Sequence, residues 1–272
     1  MITLTDQDFQ TIVDLFRTRY GINLSKKRVL VEGRLVNMLK ERGISSFAEY
    51  IKIVLSDASG KEMTTLVNKI TTNHTYFMRE IEHFNFLKNT ILPHLEQISK
   101  DRVLRIWSAG CSSGEEAYSM AMVIDDYFGS RKTGWDTTIL ATDISNKVLD
   151  IARKATYDKE ALHELPESWQ KKYFVDNKDG SCTLTDQMKK EVVFRELNLM
   201  DDFTFKKPFD LISCRNVMIY FEADTKVKLV NRFYRHTANN GHFFIGHSES
   251  INKNETDYRF VRPAIYKKEL FK

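Results

Sequence analysis

A loop of small residues between two apolar segments has the composition of a ligand-binding loop. In residues 106–119, IWSAGCSSGEEAYS, the loop contains Gly110 and Gly114, and Glu115 and Glu116 follow at once. Small residues let the backbone approach a ligand, and the first turn of a helix offers free N–H groups. The spacing is not GxGxxG, and two carboxylates would repel a pyrophosphate but suit a cation or sugar hydroxyls. S-adenosylmethionine carries both groups and no phosphate, so the loop favours this ligand over a dinucleotide.

A structural interpretation of these acidic residues remains open. Glutamates in the first turn of a helix often only complement the helix dipole. Asp143 ends the apolar segment ILATD, where an acid in an α/β fold usually holds a ribose diol. It could equally be the N-cap of the helix that follows.

Two further polar segments are suited to a site. Residues 213–221, SCRNVMIYF, follow an apolar run that we predict to be a strand, which would place Asn216 at the carboxyl edge of the sheet. Residues 71–80, TTNHTYFMRE, hold many donors and one arginine, Arg79. This second run precedes a predicted helix, and it is either a capping segment or a lid.

The elements that would position these residues divide the chain into two parts. Before residue 100 the apolar residues recur at helical spacing, and no alternating strand pattern appears. After residue 102 short apolar segments alternate with helical ones, which predicts βαβ units and a mostly parallel sheet. We therefore predict an α/β protein with an all-helical domain at residues 1–80 and a sheet-containing domain at residues 81–272. The predicted strands are 103–107, 137–141, 209–214 and 241–246, and the helices between them include 115–128, 148–152 and 223–238.

The region of about 157–196 interrupts this alternation. Two short runs, 171–175 and 181–185, flank the sequence Asn177-Lys178-Asp179-Gly180. A glycine after an aspartate supplies the positive φ that a hairpin turn needs. We predict a small antiparallel β insertion in the second domain.

Composition restricts the class of protein. The chain has 272 residues, 42% of them hydrophobic, which suits one large or two unequal globular domains. Its three cysteines, Cys111, Cys182 and Cys214, are widely spaced, which argues against a disulfide scaffold or a zinc site. The first residues lack a signal-peptide pattern, and no apolar stretch approaches the length of a membrane span. We expect a soluble, cytoplasmic protein without a metal.

Basic residues are concentrated near the N-terminus. The net charge is only +4, but residues 17–42 hold eight Lys or Arg and two acidic residues. Such a cluster could face an acidic partner, including nucleic acid, or it could be a solvated helix face. The residues that we predict to bind a partner are Lys26, Lys27, Arg28, Arg34, Lys40 and Arg42.

Five segments together resemble one known family. In order, TTNHTYFMREIEHF, RIWSAGCSSGEEAYS, ILATDIS, FDLISCRNVMIYF and GHFFIGHSES are similar to segments of the CheR family, the chemotaxis receptor glutamate O-methyltransferases. The resemblance implies a Rossmann-like class I methyltransferase domain with S-adenosylmethionine as the methyl donor. It also implies a glutamate on chemoreceptor cytoplasmic helices as the acceptor and a glutamyl methyl ester as the product.

The resemblance also implies roles for individual residues. Arg79 and Tyr220 match the pair proposed to act near the transferred methyl group. In some members a β insertion docks a peptide from the receptor C-terminus, and this sequence leaves that role open. The implied cofactor contacts are Asn73, Thr75, Arg79, Glu116, Asp143, Asn198, Leu199, Asn216 and Val217.

Three other functions are weaker interpretations. Nucleic-acid amino methyltransferases typically have an Asn/Asp-Pro-Pro-aromatic loop, whereas this chain has Asn216-Val217-Met218-Ile219-Tyr220 without proline. A nicotinamide dehydrogenase conflicts with the glycine spacing, and a non-catalytic cofactor-binding module would not need the full set of polar motif residues. We therefore expect chemoreceptors as partners, no nucleic acid, no membrane insertion and a monomer.

Overall fold

The structure is a computed structural model that describes residues 2–71 and 73–269. Met1, Thr72 of the predicted lid segment and residues 270–272 lie outside the described residues. No described helix is both long and apolar enough to cross a membrane.

The N-terminal part is a bundle of helices with its own core. Thr5 caps the first helix by accepting a hydrogen bond from the Asp8 N–H at 3.1 Å, and Gly21 ends it at φ +66°. Both ends follow from local sequence, because a hydroxyl suits an N-cap and glycine suits the left-handed C-cap. The fully buried Phe16, Phe47 and Tyr50 lie in the shared core. The helices are α1 (Asp6–Tyr20), α2 (Arg28–Glu41), α3 (Phe47–Ser56) and α4 (Lys61–Ile70).

A longer helical segment connects the bundle to the sheet. It comprises α5 (Glu82–Phe86), a π-helical turn (Leu87–Ile91) and α6 (Leu92–Ile98). The sequence predicts one continuous helix over about 80–97, whereas the structure has a π-helical turn between two α-helical parts. Pro93 lies in the first turn of α6 and has no N–H to donate, so the regular bonding ladder is interrupted here.

The second part alternates strands and helices as predicted. Its strands are β1 (Ile106–Ala109), β2 (Ile139–Asp143), β3 (Thr156–Asp158), β4 (Phe174–Asp176), β5 (Ser181–Leu184), β6 (Val192–Glu196), β7 (Phe209–Ser213), β8 (Thr237–Phe244), β9 (Arg259–Arg262) and β10 (Ile265–Lys267). Its helices are α7 (Glu115–Phe128), α8 (Asn146–Lys154), α9 (Glu167–Tyr173), α10 (Asp186–Lys189) and α11 (Ala223–His236).

Within the part of the chain that the structure describes, seven strands form the main sheet in the order β6-β2-β1-β7-β8-β10-β9. The strands from β6 to β8 are parallel, and β10 and β9 are antiparallel additions at one edge. Ser108 of β1 lies opposite Ala141 of β2 and Ser213 of β7, so these three strands end at the same edge. Apolar clusters cover both faces of the sheet, which confirms the α/β prediction.

A second, three-stranded sheet has the order β3-β5-β4 and is antiparallel throughout. It confirms the small β insertion and the hairpin around residues 177–180. The predicted C-terminal limit of the insertion, about residue 196, is wrong, because β6 pairs in parallel with β2 in the main sheet. Strands β9 and β10 were not expected from the sequence. The described side chains of β9 are exposed, so this edge strand lacks the buried alternation on which such predictions depend.

Candidate functional site

The carboxyl ends of β1, β2 and β7 open into a cavity of about 340 Å³. Tyr20 and Lys27 of the helical bundle form part of its wall, so the cavity lies between the two parts of the chain. Described residues from six separate segments meet here. Every residue predicted to contact the cofactor or the transferred methyl group lines the cavity: Asn73, Thr75, Arg79, Glu116, Asp143, Asn198, Leu199, Asn216, Val217 and Tyr220.

The loop after β1 passes close to its neighbours because two of its residues are glycines. Gly110 has φ +86°, and an added Cβ would lie 2.3 Å from a Val217 methyl carbon. Gly114 has φ +95° and precedes the first turn of α7 without a side-chain cap. Any other residue at either position would be strained and would collide with the packing. The glycines therefore let the loop pass close to Val217 and Ala152, and the loop residues Gly110, Cys111 and Ser112 line the cavity.

Asp143 connects two of the loops around the cavity. Its Oδ2 accepts the Ser112 N–H at 2.8 Å, and its Oδ1 accepts the Ser145 N–H at 2.9 Å. Burial raises the pKa of this carboxyl above its ordinary value. The N-cap of α8 is Ser145, so the alternative prediction that Asp143 caps this helix is wrong. The carboxylate instead fixes the loop after β1 beside the end of β2.

The segment before α5 closes one side of the cavity. Ser112 Oγ donates to the Asn73 carbonyl oxygen at 2.8 Å, and the Arg79 guanidinium donates to the His74 carbonyl oxygen at 2.8 Å. The buried Phe77 ring packs edge-on against Tyr157 and Phe174 of the small sheet. These contacts hold the predicted lid segment over the loop that follows β1.

Arg215 is a residue of the site that the sequence analysis missed. Its side chain is only 3% exposed, and its Nη1 lies 2.8 Å from Glu116 Oε2 and its Nη2 3.1 Å from Glu80 Oε2. It also donates to the Arg79 carbonyl oxygen. A buried cation between two carboxylates neutralises charges that would be costly alone. The sequence did contain a signal for Arg215, because a charged residue there follows a buried strand and directly precedes Asn216.

Glu249 was also missed, although it supports the loop after β7. Its carboxylate accepts the N–H groups of Asn216 at 2.9 Å, Gly246 at 2.6 Å and Ile219 at 3.1 Å. Burial raises the pKa of this carboxyl. Asn216 itself has φ +58°, and the three bonds around it hold this strained conformation.

Asn198 connects the cavity to the helical bundle. Its amide nitrogen donates to the Arg19 carbonyl oxygen at 2.8 Å and to Asp201 Oδ1 at 3.1 Å. Its amide oxygen accepts the Met200 N–H at 3.1 Å. The loop after β6 is thus fixed partly by the end of α1.

The predicted basic cluster divides into two groups. Arg28 pairs with Asp6 at 2.7 Å, Arg42 pairs with Glu62 at 2.7 Å, and Arg34 donates to the Ile70 and Thr71 carbonyl oxygens. These arginines hold the bundle together. The other three, Lys26, Lys27 and Lys40, are exposed, and Lys27 also lines the cavity.

Among the described residues, one group of side chains that could hold a metal ion lies beside the site. Glu80, His83 and His247 bring one ligand atom each within 4.8 Å of one another. The Glu80 carboxylate is already bonded to the Arg215 guanidinium and to the His247 N–H at 3.2 Å. The Arg215 guanidinium would compete with a metal ion for the Glu80 carboxylate. These three residues therefore do not change the expectation that the protein holds no metal.

Comparisons with known proteins identify the family. Residues 7–71 match the family model described as "CheR methyltransferase, all-alpha domain", and residues 73–266 match the one described as "CheR methyltransferase, SAM binding domain". The chain belongs to the CheR methyltransferase family. This confirms the resemblance found in the sequence.

Curated CheR relatives match over nearly the whole chain. A chemotaxis protein methyltransferase of Borreliella burgdorferi is 43% identical, with 98% of this chain and 96% of the relative covered. Chemotaxis protein methyltransferase 1 of Pseudomonas aeruginosa is 34% identical, with 96% of each chain covered. The chemotaxis protein methyltransferase of Escherichia coli is 34% identical, with 97% of this chain and 92% of the relative covered.

S-adenosylmethionine is the cofactor of this CheR domain, and the cavity fits it chemically. The carboxylates of Asp143 and Glu116 line the cavity and can accept hydroxyl or ammonium hydrogens. The Arg79 guanidinium lines the same cavity and can bind a carboxylate. The cavity therefore has acceptors for the ribose and ammonium groups and a donor for the methionyl carboxylate.

Proposed function

We propose that this protein transfers the methyl group of S-adenosylmethionine to side-chain carboxylates of specific glutamates in chemoreceptor cytoplasmic helices. The product is a glutamyl methyl ester, which makes the protein a protein-glutamate O-methyltransferase of chemotactic adaptation. The observation that carries the proposal is the cavity, which collects Arg79 and Tyr220 together with the full set of proposed cofactor contacts. Membership of the CheR family supports the same conclusion.

The acceptor carboxylate needs no general base. A solvated glutamate is already ionised at pH 7. S-adenosylmethionine supplies a methyl group on a positively charged sulfur, so charge is lost on the way to the transition state. Water stabilises the separated charges, and the protein accelerates the reaction by excluding water and aligning the reacting atoms.

The cavity residues suit these two tasks. In this proposal Asp143 accepts the ribose hydroxyls, and Glu116, held by Arg215 at 2.8 Å, contacts the cationic part of the cofactor. Arg79 binds a carboxylate through its planar fork and positions it. Tyr220 orients the acceptor oxygen with one hydrogen bond. A tight ion pair from Arg79 to the nucleophile would weaken the nucleophile, so its main role is to bind the cofactor and to position the reacting groups.

The basic surface next to the cavity is proposed to meet the receptor. Lys26 and Lys27 are exposed, and Lys27 is part of the cavity wall. Receptor helices that carry several glutamates are acidic, so opposite charge would guide them to this wall. We further propose that the protein acts as a monomer in the cytoplasm, with no nucleic-acid partner and no insertion into the membrane.

The proposal is tested by incubating the protein with S-adenosylmethionine labelled in its methyl group and with chemoreceptor membranes. We expect base-labile label on the receptor, because carboxyl esters hydrolyse in alkali and methylated amines do not. Receptor whose cytoplasmic glutamates are changed to alanine is the control and should take up no label. Label on nucleic acid, or base-stable label on the receptor, would overturn the proposal.

A further inference from the structure

The helical bundle contacts the main chain of Tyr220 directly. The Asn23 N–H donates to the Tyr220 carbonyl oxygen at 2.8 Å, and Ile22 forms an antiparallel bridge with Phe221. Tyr220 ends a single 3₁₀ turn, Met218–Tyr220, rather than a strand or an α-helix. Such a short turn has weak internal hydrogen bonding. The position of Tyr220 therefore depends on contacts from outside its own segment.

Glu222, which lies two residues after Tyr220, adds a side-chain contact to the bundle. Its Oε1 lies 3.0 Å from Arg17 Nε of α1 and 3.3 Å from the amide nitrogen of Asn23. Glu222 occupies the N-cap position of α11, yet its side chain makes no capping hydrogen bond. Glutamate is not a favoured N-cap residue. The carboxylate thus bonds across to the bundle instead of to its own helix.

The packing around this contact is tight. Gly21, at φ +66°, lies where an added Cβ would be 2.6 Å from Met200 Sδ and 2.9 Å from a Thr225 methyl carbon. Only glycine adopts this backbone conformation without strain. The turn from α1 to Asn23 is therefore pressed against the second part of the chain.

We propose that Glu222 is a positioning residue for methyl transfer, which acts by holding Asn23 and Arg17 so that Asn23 fixes the main chain of Tyr220. The inference rests on the proposed role of Tyr220 at the acceptor oxygen. It makes the helical bundle part of the catalytic arrangement as well as a wall of the cavity.

The test compares four variants, Glu222→Ala, Glu222→Gln, Tyr220→Phe and the double variant Glu222→Ala with Tyr220→Phe. At saturating cofactor and receptor we expect Glu222→Ala to lower kcat about tenfold, since small misplacements are costly in aligned reactions. Glu222→Gln should retain more activity, because its amide oxygen can still accept from Asn23. In the Tyr220→Phe background, Glu222→Ala should cost less than it does alone, because misplacing residue 220 matters less once the hydroxyl that is proposed to orient the acceptor oxygen is absent. Multiplicative effects would instead show a general structural role and overturn the inference.

A second measurement does not depend on activity. Hydrogen–deuterium exchange of residues 22–23 and 218–221 should speed up in Glu222→Ala. The matched control is Asp224→Ala, because Asp224 is an exposed acid in the first turn of the same helix. Equal exchange in Glu222→Ala and the parent protein would overturn the inference whatever the substrate is. A parent protein that leaves receptor glutamates unlabelled would overturn the proposed function, and the exchange comparison would still decide the role of Glu222.

Discussion

The Asp143 carboxylate accepts the Ser112 N–H at 2.8 Å, and this bond joins the end of β2 to the loop that follows β1. A carboxylate oxygen has two lone pairs, so Asp143 can hold this loop and still accept a ribose hydroxyl. Ser112 in turn holds the lid segment through the Asn73 carbonyl oxygen. One acidic side chain thus arranges three segments around the cofactor cavity.

Replacing Asp143 by alanine should weaken S-adenosylmethionine binding at least about tenfold, because a hydrogen bond to a charged group contributes roughly 1.5–3 kcal/mol. The measurement is isothermal titration calorimetry, with circular dichroism to show that the fold is intact. Asp150→Ala is a control, since Asp150 pairs with Arg153 on the exposed side of α8. Unchanged affinity would mean that Asp143 only holds the loops.

Arg79→Lys should reduce turnover more than cofactor affinity. Lysine keeps the charge but loses the planar fork, and with it the geometry that holds a carboxylate in one orientation. It would also weaken the bond to the His74 carbonyl oxygen within the lid segment. The measurement is kcat at saturating substrates beside the cofactor Kd. Equal losses in the two quantities would show that Arg79 serves ground-state binding alone.

The double variant Lys26→Glu with Lys27→Glu should raise the KM for receptor several-fold at low salt, measured at a cofactor concentration that saturates the variant because Lys27 also lines the cofactor cavity. The difference should shrink as salt is added, because exposed charges are screened over about 8 Å at physiological ionic strength. Arg28 and Arg34 are less suited to this test, because both arginines are bonded within the bundle.

The matched control for this charge reversal is Lys206→Glu with Lys207→Glu. Both lysines are exposed, and they precede β7, at the opposite edge of the sheet from the cavity. The control should methylate the receptor as the parent protein does. A KM that rises equally in both double variants would point to net charge rather than to a docking surface.

The protein should lose stability in mild acid partly through His242. Burial, followed by the charges of Lys267 and His94, lowers the pKa of this imidazole to about 4. The unfolded chain takes up a proton below about pH 6.5, whereas the folded protein resists protonation until about pH 4, so this stability is present above pH 6.5 and lost as the pH falls. The loss between pH 6.5 and 5 is about 2 kcal/mol.

His242→Gln should therefore reduce the difference in unfolding free energy between pH 7 and pH 5, measured by urea denaturation. His163→Gln is the control, because the His163 side chain is 68% exposed. An acid-induced loss as large in His242→Gln as in the parent protein would contradict this assignment.

The sequence alone predicted the part of the cavity that the ends of the strands form. Gly110, Asp143 and Asn216 each follow an apolar segment, and parallel strands bring their carboxyl ends to one edge of the sheet. The alternation of elements and the hairpin at residues 177–180 are local patterns, so they were predicted correctly. The resemblance of whole motifs then indicated the family.

Only the tertiary structure decided which charged side chains are paired within the protein and which residues support the site. Arg215 forms ion pairs with Glu80 and Glu116, and Glu222 forms one with Arg17. The partners are far apart in sequence, so no periodic pattern predicts these contacts. The same holds for Arg42, which looked like a free basic residue and pairs with Glu62. Composition and spacing show that a residue is charged or apolar. Its partner depends on how distant segments pack, and that packing also assigned β6 to the main sheet rather than to the insertion.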